Sequence, residues 1–318
     1  MDDNYSSGIN NINNRSSSHW IIILVAICFL FACVYGIKQT NLVQNILPKQ
    51  KTIDFMQHDQ FIKKQGIRDT YDSFYFYNYD LLNRTQDRVQ YEILQFMKTN
   101  PLSRESRILD VGSGTGVFLQ ELSQYNFIAE GVDISPDCVL QTRTIYPNVN
   151  VKCGDALDAK LFSSKQFSHI TCFYFTLYEI QDKTRFFTNI YAWLKPGGYF
   201  MIHVVDPDQF SMITPSAAVR PDLVQQFSHQ RITESTVSFP SYVYTLSYSP
   251  NESGDWMITE TFVDKQSHKR RHNERPFYSV KKTQVIQLAL EVGLTMHSEV
   301  SYRAITGDKS QWIITFNK

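Results

Sequence analysis

The chain has 318 residues, with 31 Lys and Arg against 31 Asp and Glu. This neutrality excludes a global positive field of the kind that holds nucleic acid by its phosphates, and a nucleic-acid partner is not expected. Hydrophobic residues make up 42% of the chain, among them 22 Phe and 18 Tyr, enough to fill a sizeable core. The five cysteines form no CxxC pair and have no Cys/His ligand spacing, so a reducing compartment and no metal site are expected.

Residues 1–19 are rich in Asn and Ser and read as a disordered polar tail. Residues 20–37, WIIILVAICFLFACVYGI, carry no charge and are closed by Lys38. A helix of that length spans about 27 Å, close to the ~30 Å hydrocarbon core of a bilayer. Trp20 and Tyr35 stand near its ends, where amphipathic rings favour the interface. A buried core helix or a cleaved signal peptide would also be apolar, but this run exceeds the usual signal core and no A-x-A site follows it. The expectation is one transmembrane helix. Only Arg15 precedes it, whereas Lys38, Lys49 and Lys51 follow, which predicts a single-pass protein with its C-terminal domain in the cytoplasm. Residues 38–57, with Pro48, read as a linker and 58–318 as the folded domain.

Within that domain an aromatic stretch, YDSFYFYNYD (71–80), precedes a predicted helix at 84–98 that stops at Asn100-Pro101. Strands and helices then alternate. Strands are predicted at 106–111, 127–132, 149–152, 168–173 and 199–205, with helices at 117–124, 136–145 and 183–194 between them. Cys138 falls on a helix, and Cys153 and Cys172 on strands expected to be buried. The rhythm predicts an α/β fold with a mostly parallel sheet covered by helices on both faces. After the fifth strand, residues 207–278 lose it: period-2 alternation at 232–248 and 256–263 predicts a β-rich, antiparallel insertion. The basic run HKRRHNER (268–275) reads as a solvated turn, with Arg270 and Arg271 as its alternative contacts to an anionic partner. A helix at 280–292 and strands at 294–300 and 311–317 complete a seven-stranded sheet.

The chemistry concentrates after the first of the parallel strands. LDVGSGTG (109–116) joins strand to helix, where glycines let the backbone approach a ligand. Its glycines, Gly112, Gly114 and Gly116, are spaced GxGxG, whereas a dinucleotide fingerprint needs the third glycine one place later. Asp110, just before the loop, would repel a pyrophosphate but suits a ligand carrying an ammonium and a sulfonium. Asp133 in GVDIS lies 21 residues after Gly112, the distance at which an acid meets a ribose diol. Asp155 in GDA stands where it could accept from an adenine amino group. Each acid alone would serve equally as a helix cap or turn residue; three at the ends of successive strands are less readily accidental.

Through LDVGSGTG, GVDIS, GDA and WLKPGGYFMIH, in that order, residues 84–318 resemble the class I S-adenosylmethionine-dependent methyltransferases. The resemblance implies a Rossmann-like fold and S-adenosyl-L-methionine as cofactor. The methionine end would be held by Asp110, Gly112, Ser113, Gly114 and Gly116, the ribose by Asp133 beside Ile134, and the adenine by Asp155 beside Ala156, with Phe173 also in contact. In such enzymes an N-terminal segment often closes over the cofactor, which makes Tyr71, Tyr75 and Tyr79 cap candidates. Tyr178, in FYFTLYEI, is a further aromatic candidate, since rings can line a sulfonium and exclude water. The segment after the fourth strand lacks the Pro-Pro of amino-methylating nucleic-acid enzymes. Glu179 and His203 are candidate bases. The expected activity is methyl transfer to a small-molecule or lipid-like acceptor at a membrane, reached through 20–37. Alternatives are a protein or RNA methyltransferase recruited to a membrane through the basic run, and a catalytically silent scaffold.

Overall fold

The computed structural model describes residues 61–99, 101–217, 231–250 and 255–318, all within the compact unit Phe55–Lys318. The predicted tail, membrane helix and linker lie outside the described residues. Among the described residues no helix is long and apolar enough to cross a membrane.

The strands in chain order are β1 (Phe61–Gln65), β2 (Arg107–Val111), β3 (Ile128–Asp133), β4 (Asn150–Cys153), β5 (Phe167–Cys172), β6 (Leu194–Val205), β7 (Glu234–Ser238), β8 (Tyr242–Pro250), β9 (Trp256–Asp264), β10 (Arg270–Phe277), β11 (Thr295–Ser301) and β12 (Gln311–Asn317). Seven of them form a sheet in the order β11-β12-β6-β5-β2-β3-β4. The pairings from β6 to β4 are parallel, and β12 runs antiparallel to both β6 and β11. This is the Rossmann-like sheet expected from the βα rhythm. Strand β2 is buried at four consecutive positions, as a parallel strand covered on both faces should be. Adjacent β2 residues serve different cores. Ile108 packs with Val89, Ile93 and Phe96 of the helix Thr85–Thr99, whereas Leu109 packs with Phe186, Phe187 and Ile190 of the helix Lys183–Trp193. Because β2 leads to β3 and β4 on one side and β5 and β6 lie on the other, the sheet has its topological switch point beside β2, where a crevice opens at the strands' carboxyl ends.

A second sheet, β1-β10-β9-β8-β7, is antiparallel except for the parallel pair β1 and β10. It corrects two expectations. The insertion is completed by a strand from the chain's N-terminal side, and the basic run is no solvated turn. Residues 270–277 form β10, and their alternation buries Arg271, Asn273, Arg275 and Phe277. Arg271 donates to Asp72 Oδ2 at 2.8 Å and to the Thr70 carbonyl at 3.1 Å, so of the two proposed docking arginines only Arg270 is exposed. Cys153 is also exposed, against the expectation of a buried strand position.

The aromatic stretch becomes the helix Ser73–Asn83. Asp72 caps it by accepting from Tyr75 N–H at 3.1 Å. It ends where Arg84 turns left-handed with φ 45°. Tyr75 and Tyr79, four residues apart, share one face, with ring centroids 5.9 Å apart. Phe74 and Tyr75 meet Phe262 of β9 edge-on at 5.1 and 6.3 Å. The cap is thereby fastened to the inserted sheet.

Candidate active site

The crevice at the switch point is a cavity of about 780 Å³ counting its open mouth. Each parallel strand from β2 to β5 delivers a turn to it: Gly112 and Gly114 after β2, Asp133 and Ile134 from β3, Gly154 to Ala156 after β4, Thr176 to Ile180 after β5. Gly112 has φ +73°, and a Cβ there would collide with Thr176 Cγ2 and Oγ1. Gly114 has φ +50° and no protein atom closer than 3.9 Å to where its Cβ would stand. The space beside it belongs to the cavity, leaving a cradle that a side chain would fill.

Asp133 Oδ2 accepts from Gly114 N–H and Oδ1 from Ser135 N–H, both at 2.9 Å. Each carboxylate oxygen retains a lone pair for a ligand hydroxyl. Asp155 borders the same cavity, with Oδ1 accepting from Leu157 N–H at 2.9 Å. Ile134 and Ala156 supply apolar wall near these acids.

A smaller polar cavity adjoins the first and shares Tyr79, Gly112, Gly114, Thr115 and Thr176 with it. Asp110, Ser113 and Phe173 line it. Burial pushes the Asp110 carboxyl up to about 7, although Thr171 donates to it at 2.7 Å. Opposite stand Arg88 and Glu92, paired at 2.8 Å and buried. Among the described residues, Thr85 Oγ1, Arg88 Nε, Glu92 Oε2 and Ser113 Oγ have no hydrogen-bond partner. Buried polar atoms without partners are costly. Four around one cavity mark a place for a polar ligand with both charges, and an amino-acid end fits that donor set: a carboxylate toward Arg88, an ammonium toward Asp110. Neither Arg88 nor Glu92 was singled out in the sequence, because an Arg and a Glu four apart on an amphipathic helix read as an exposed pair.

The cap candidates divide. Tyr71 and Tyr79 border the main cavity. Tyr75 does not: it is 1% exposed and donates to Glu260 Oε1 at 2.5 Å. Tyr178 is fully buried beneath the site, its hydroxyl donating to the Val205 carbonyl at 3.0 Å and accepting from Val205 N–H at 2.7 Å, so it anchors β6 and leaves the cap to other rings. Gly116 borders neither cavity but starts the helix Val117–Gln124 with φ +77°.

The two candidate bases also part. His203 is buried, with Nδ1 2.6 Å from the Tyr174 carbonyl and Nε2 3.1 Å from Gln311 Oε1. Burial pushes its pKa down to about 4. Both nitrogens are engaged and neither reaches the cavity, so His203 holds the left-handed Tyr174 (φ 54°) in place. Glu179 borders the cavity. Its Oε1 accepts from Tyr71 Oη at 2.6 Å and from Arg275 Nε at 3.0 Å. Burial raises its pKa, and the Arg275 guanidinium opposes that rise.

The family described as "Methyltransferase domain" matches residues 82–244, which contain the glycine loop, all three acids and Glu179. Among solved structures, an S-adenosylmethionine-dependent methyltransferase from Clostridium acetobutylicum is 16% identical, covering 75% of this chain and 95% of that one with a TM-score of 0.57. The CcbJ methyltransferase from Streptomyces caelestis is 14% identical, covering 81% and 98% with a TM-score of 0.56. CalS10 of Micromonospora echinaspora, an amino pentose methyltransferase solved with S-adenosylmethionine bound, is 16% identical, covering 72% and 90% with a TM-score of 0.53. Identities this low show a shared fold. No curated protein matches the sequence. With more than half of its length matched and that half carrying most of the cavity's lining, the chain belongs to the methyltransferase-domain family and is an enzyme of methyl transfer.

Proposed function

We propose that this enzyme transfers a methyl group to a small-molecule or lipid-like acceptor, and that residues 20–37 hold it on a membrane with its catalytic domain in the cytoplasm. The methyl donor is S-adenosylmethionine. The observation that carries this reading is one cavity, at the carboxyl ends of β2 to β5, that combines the open Gly114 cradle with Asp133, Asp155 and Glu179. The small-molecule part is supported by CalS10, whose acceptor is an amino pentose. The cavity wall includes no Lys, Arg or His among the described residues, which disfavours an RNA acceptor, and the basic run offered for docking RNA is largely folded into β10.

When bound, the donor supplies a methyl group on a sulfonium, open to in-line displacement. The chain's own residues bind and orient. Asp133 would hold the ribose hydroxyls and Asp155 the adenine amino group, between Ile134 and Ala156. Asp110, the backbone of 112–114 and Arg88 would hold the amino-acid end, with Ser113 and Phe173 lining it. Tyr71, Tyr79 and Phe76 close the cavity from the cap side and exclude water without presenting a strong nucleophile. Positioning in a dry pocket is the main contribution such a reaction needs.

Calorimetry on the full chain in detergent should show S-adenosylmethionine binding, weakened about 10- to 100-fold by Asp133→Ala, the loss of hydrogen bonds to a charged group. Absent binding, or binding indifferent to that change, would overturn the cofactor assignment. The topology has its own test. Cys153 is exposed, whereas Cys138 and Cys172 are buried. In intact microsomes carrying the full chain, a membrane-impermeant maleimide should label Cys153 without detergent. Labelling only after detergent would put the domain in the lumen. Asn83, in the glycosylation sequon Asn83-Arg84-Thr85, donates to the Tyr79 carbonyl and accepts from Tyr174 Oη, an arrangement that suits an unmodified side chain.

A further inference from the structure

Three carboxylates face the main cavity, and no basic side chain lines it among the described residues. The function proposed above assigns Asp133 and Asp155 to the donor's ribose and adenine. Glu179 is left over. It ends the single turn Thr176–Glu179 after β5, opposite the cap, with its side chain 13% exposed. Tyr71 and Arg275 both approach Oε1, and among the described residues no hydrogen bond reaches Oε2.

The charge around it does not balance. Arg275 bridges two glutamates, Glu179 through Nε and Glu260 through Nη1. Glu260 is 1% exposed, does not border the cavity, and has Oε1 saturated by Tyr75 at 2.5 Å and Tyr244 at 2.6 Å. One guanidinium thus meets two carboxylates. The neighbouring guanidinium, Arg271, is committed to Asp72. The uncompensated negative charge is therefore presented to the cavity at Glu179. A cationic group there would be stabilised strongly, since few competing dipoles remain in a pocket closed by Tyr71 and Tyr79.

We infer that the acceptor is a protonated amine, and that Glu179 is the catalytic residue that binds its ammonium through Oε2 and takes its proton. An ammonium has no lone pair and cannot attack. When one N–H bond breaks, the proton passes to the Glu179 carboxylate and the electron pair stays on nitrogen. That pair forms the new N–C bond as the C–S bond to the donor breaks, its electrons returning to sulfur. Tyr71 and Arg275 are positioning residues: sharing Oε1, they turn Oε2 toward the cavity.

The reaction must therefore depend on the ionised carboxylate. Burial raises the Glu179 pKa. Arg275 and the Tyr71 hydrogen bond oppose the rise, while Asp133 and Glu260 add to it. In the free enzyme kcat/KM should fall on the acid side as Glu179 protonates. Tyr71→Phe removes a hydrogen bond to the charged form, so it should move that limb to higher pH.

The experiment uses the full chain and radiolabelled S-adenosylmethionine with a small-molecule extract of the host cells, and locates the label in the products. Label on nitrogen is expected; label on oxygen, sulfur or carbon, or none on nitrogen, overturns the inference. Glu179→Gln should lower N-methylation at least about 100-fold while changing S-adenosylmethionine affinity, read by calorimetry, less than about threefold. A parallel loss of donor affinity would assign the charge to the sulfonium and overturn the role given to Glu179. Tyr71→Phe guards against a merely structural effect, which would lower the rate without moving the acid limb. Donor binding that fails in the unaltered protein would strike the earlier cofactor assignment instead.

Discussion

Replacing Gly112 by alanine should abolish measurable S-adenosylmethionine binding, a loss of at least about 100-fold by calorimetry, while leaving the protein folded by circular dichroism. Two effects combine. At φ +73° a side chain costs about 1–2 kcal/mol, because Cβ crowds the following carbonyl. The new methyl would also stand inside the contact distance of Thr176 Cγ2 and Oγ1. Thr176 borders both cavities, so any shift that relieves the clash deforms the place the donor must occupy. The backbone N–H groups of Gly112 and Ser113 are held by the Val132 carbonyl at 2.8 and 3.1 Å, which prevents the loop from retreating. The double variant Gly112→Ala/Thr176→Ala separates the causes. It should recover part of the affinity by removing the two nearest colliding atoms, leaving the dihedral cost and the 2.9 Å approach to Thr176 Cβ. Binding by Gly112→Ala equal to that of the unaltered protein would show that the donor does not need this loop.

The second large effect concerns stability. Arg275→Met should destabilise the domain by about 3–5 kcal/mol, the usual consequence of leaving one partner of a buried ion pair without its counter-charge. For a domain of this size that corresponds to a fall in Tm on the order of 10 °C. Glu260 bears most of it. Burial works to raise its pKa, but the Arg275 charge and the Tyr244 and Tyr75 hydroxyls outweigh burial and hold it below the usual 4.5. A depressed carboxylate pKa stabilises the fold above the unfolded value, and the stabilisation is lost as pH falls through the folded value. The unaltered protein should thus weaken below about pH 4.5, the ordinary glutamate value, and Arg275→Met should have lost most of this contribution already at neutral pH. Adding Glu260→Gln removes the stranded charge and should restore more than half of the lost stability. A double variant as unstable as Arg275→Met, by thermal denaturation, would place the effect in packing against Tyr71 and Tyr75, whose rings lie 5.4 and 5.5 Å from the guanidinium.

Both predictions rest on different degrees of sequence legibility. The loop behind the first was readable because its constraints are local: three glycines at fixed spacing, an acid before them and a strand before that. The network behind the second was not. Arg271 and Arg275 stand in a run whose charge density suggests a solvated turn, and only pairing of β10 with β9 and β1 shows that alternate side chains point inward. The one sign in the sequence was the alternation itself, Arg271, Asn273, Arg275 and Phe277 on one face, masked by polar residues at inward positions where a strand normally carries apolar ones. His203 and Tyr178 misled for the converse reason. Their types are those of functional residues, but each lies where its polar atoms are satisfied by backbone or side-chain groups.

By itself the sequence determined the alternation of strand and helix, the seven strands of the main sheet, the glycine loop and the three acids at consecutive strand ends. These follow from periodicity and short-range turn chemistry, which act over a few residues and survive in any context. The apolar run 20–37 is also read from local composition, and its membrane role is the proposal made above. The tertiary structure decided which side chains share the cavity. It brought Arg88 and Glu92 beside Asp110, separated Tyr71 and Tyr79 from Tyr75, joined β1 to the inserted sheet, and set Glu179 against Arg275 across 96 residues of chain. Contacts between positions so far apart depend on how layers pack, and packing energy is spread over many residues with no local pattern to announce it.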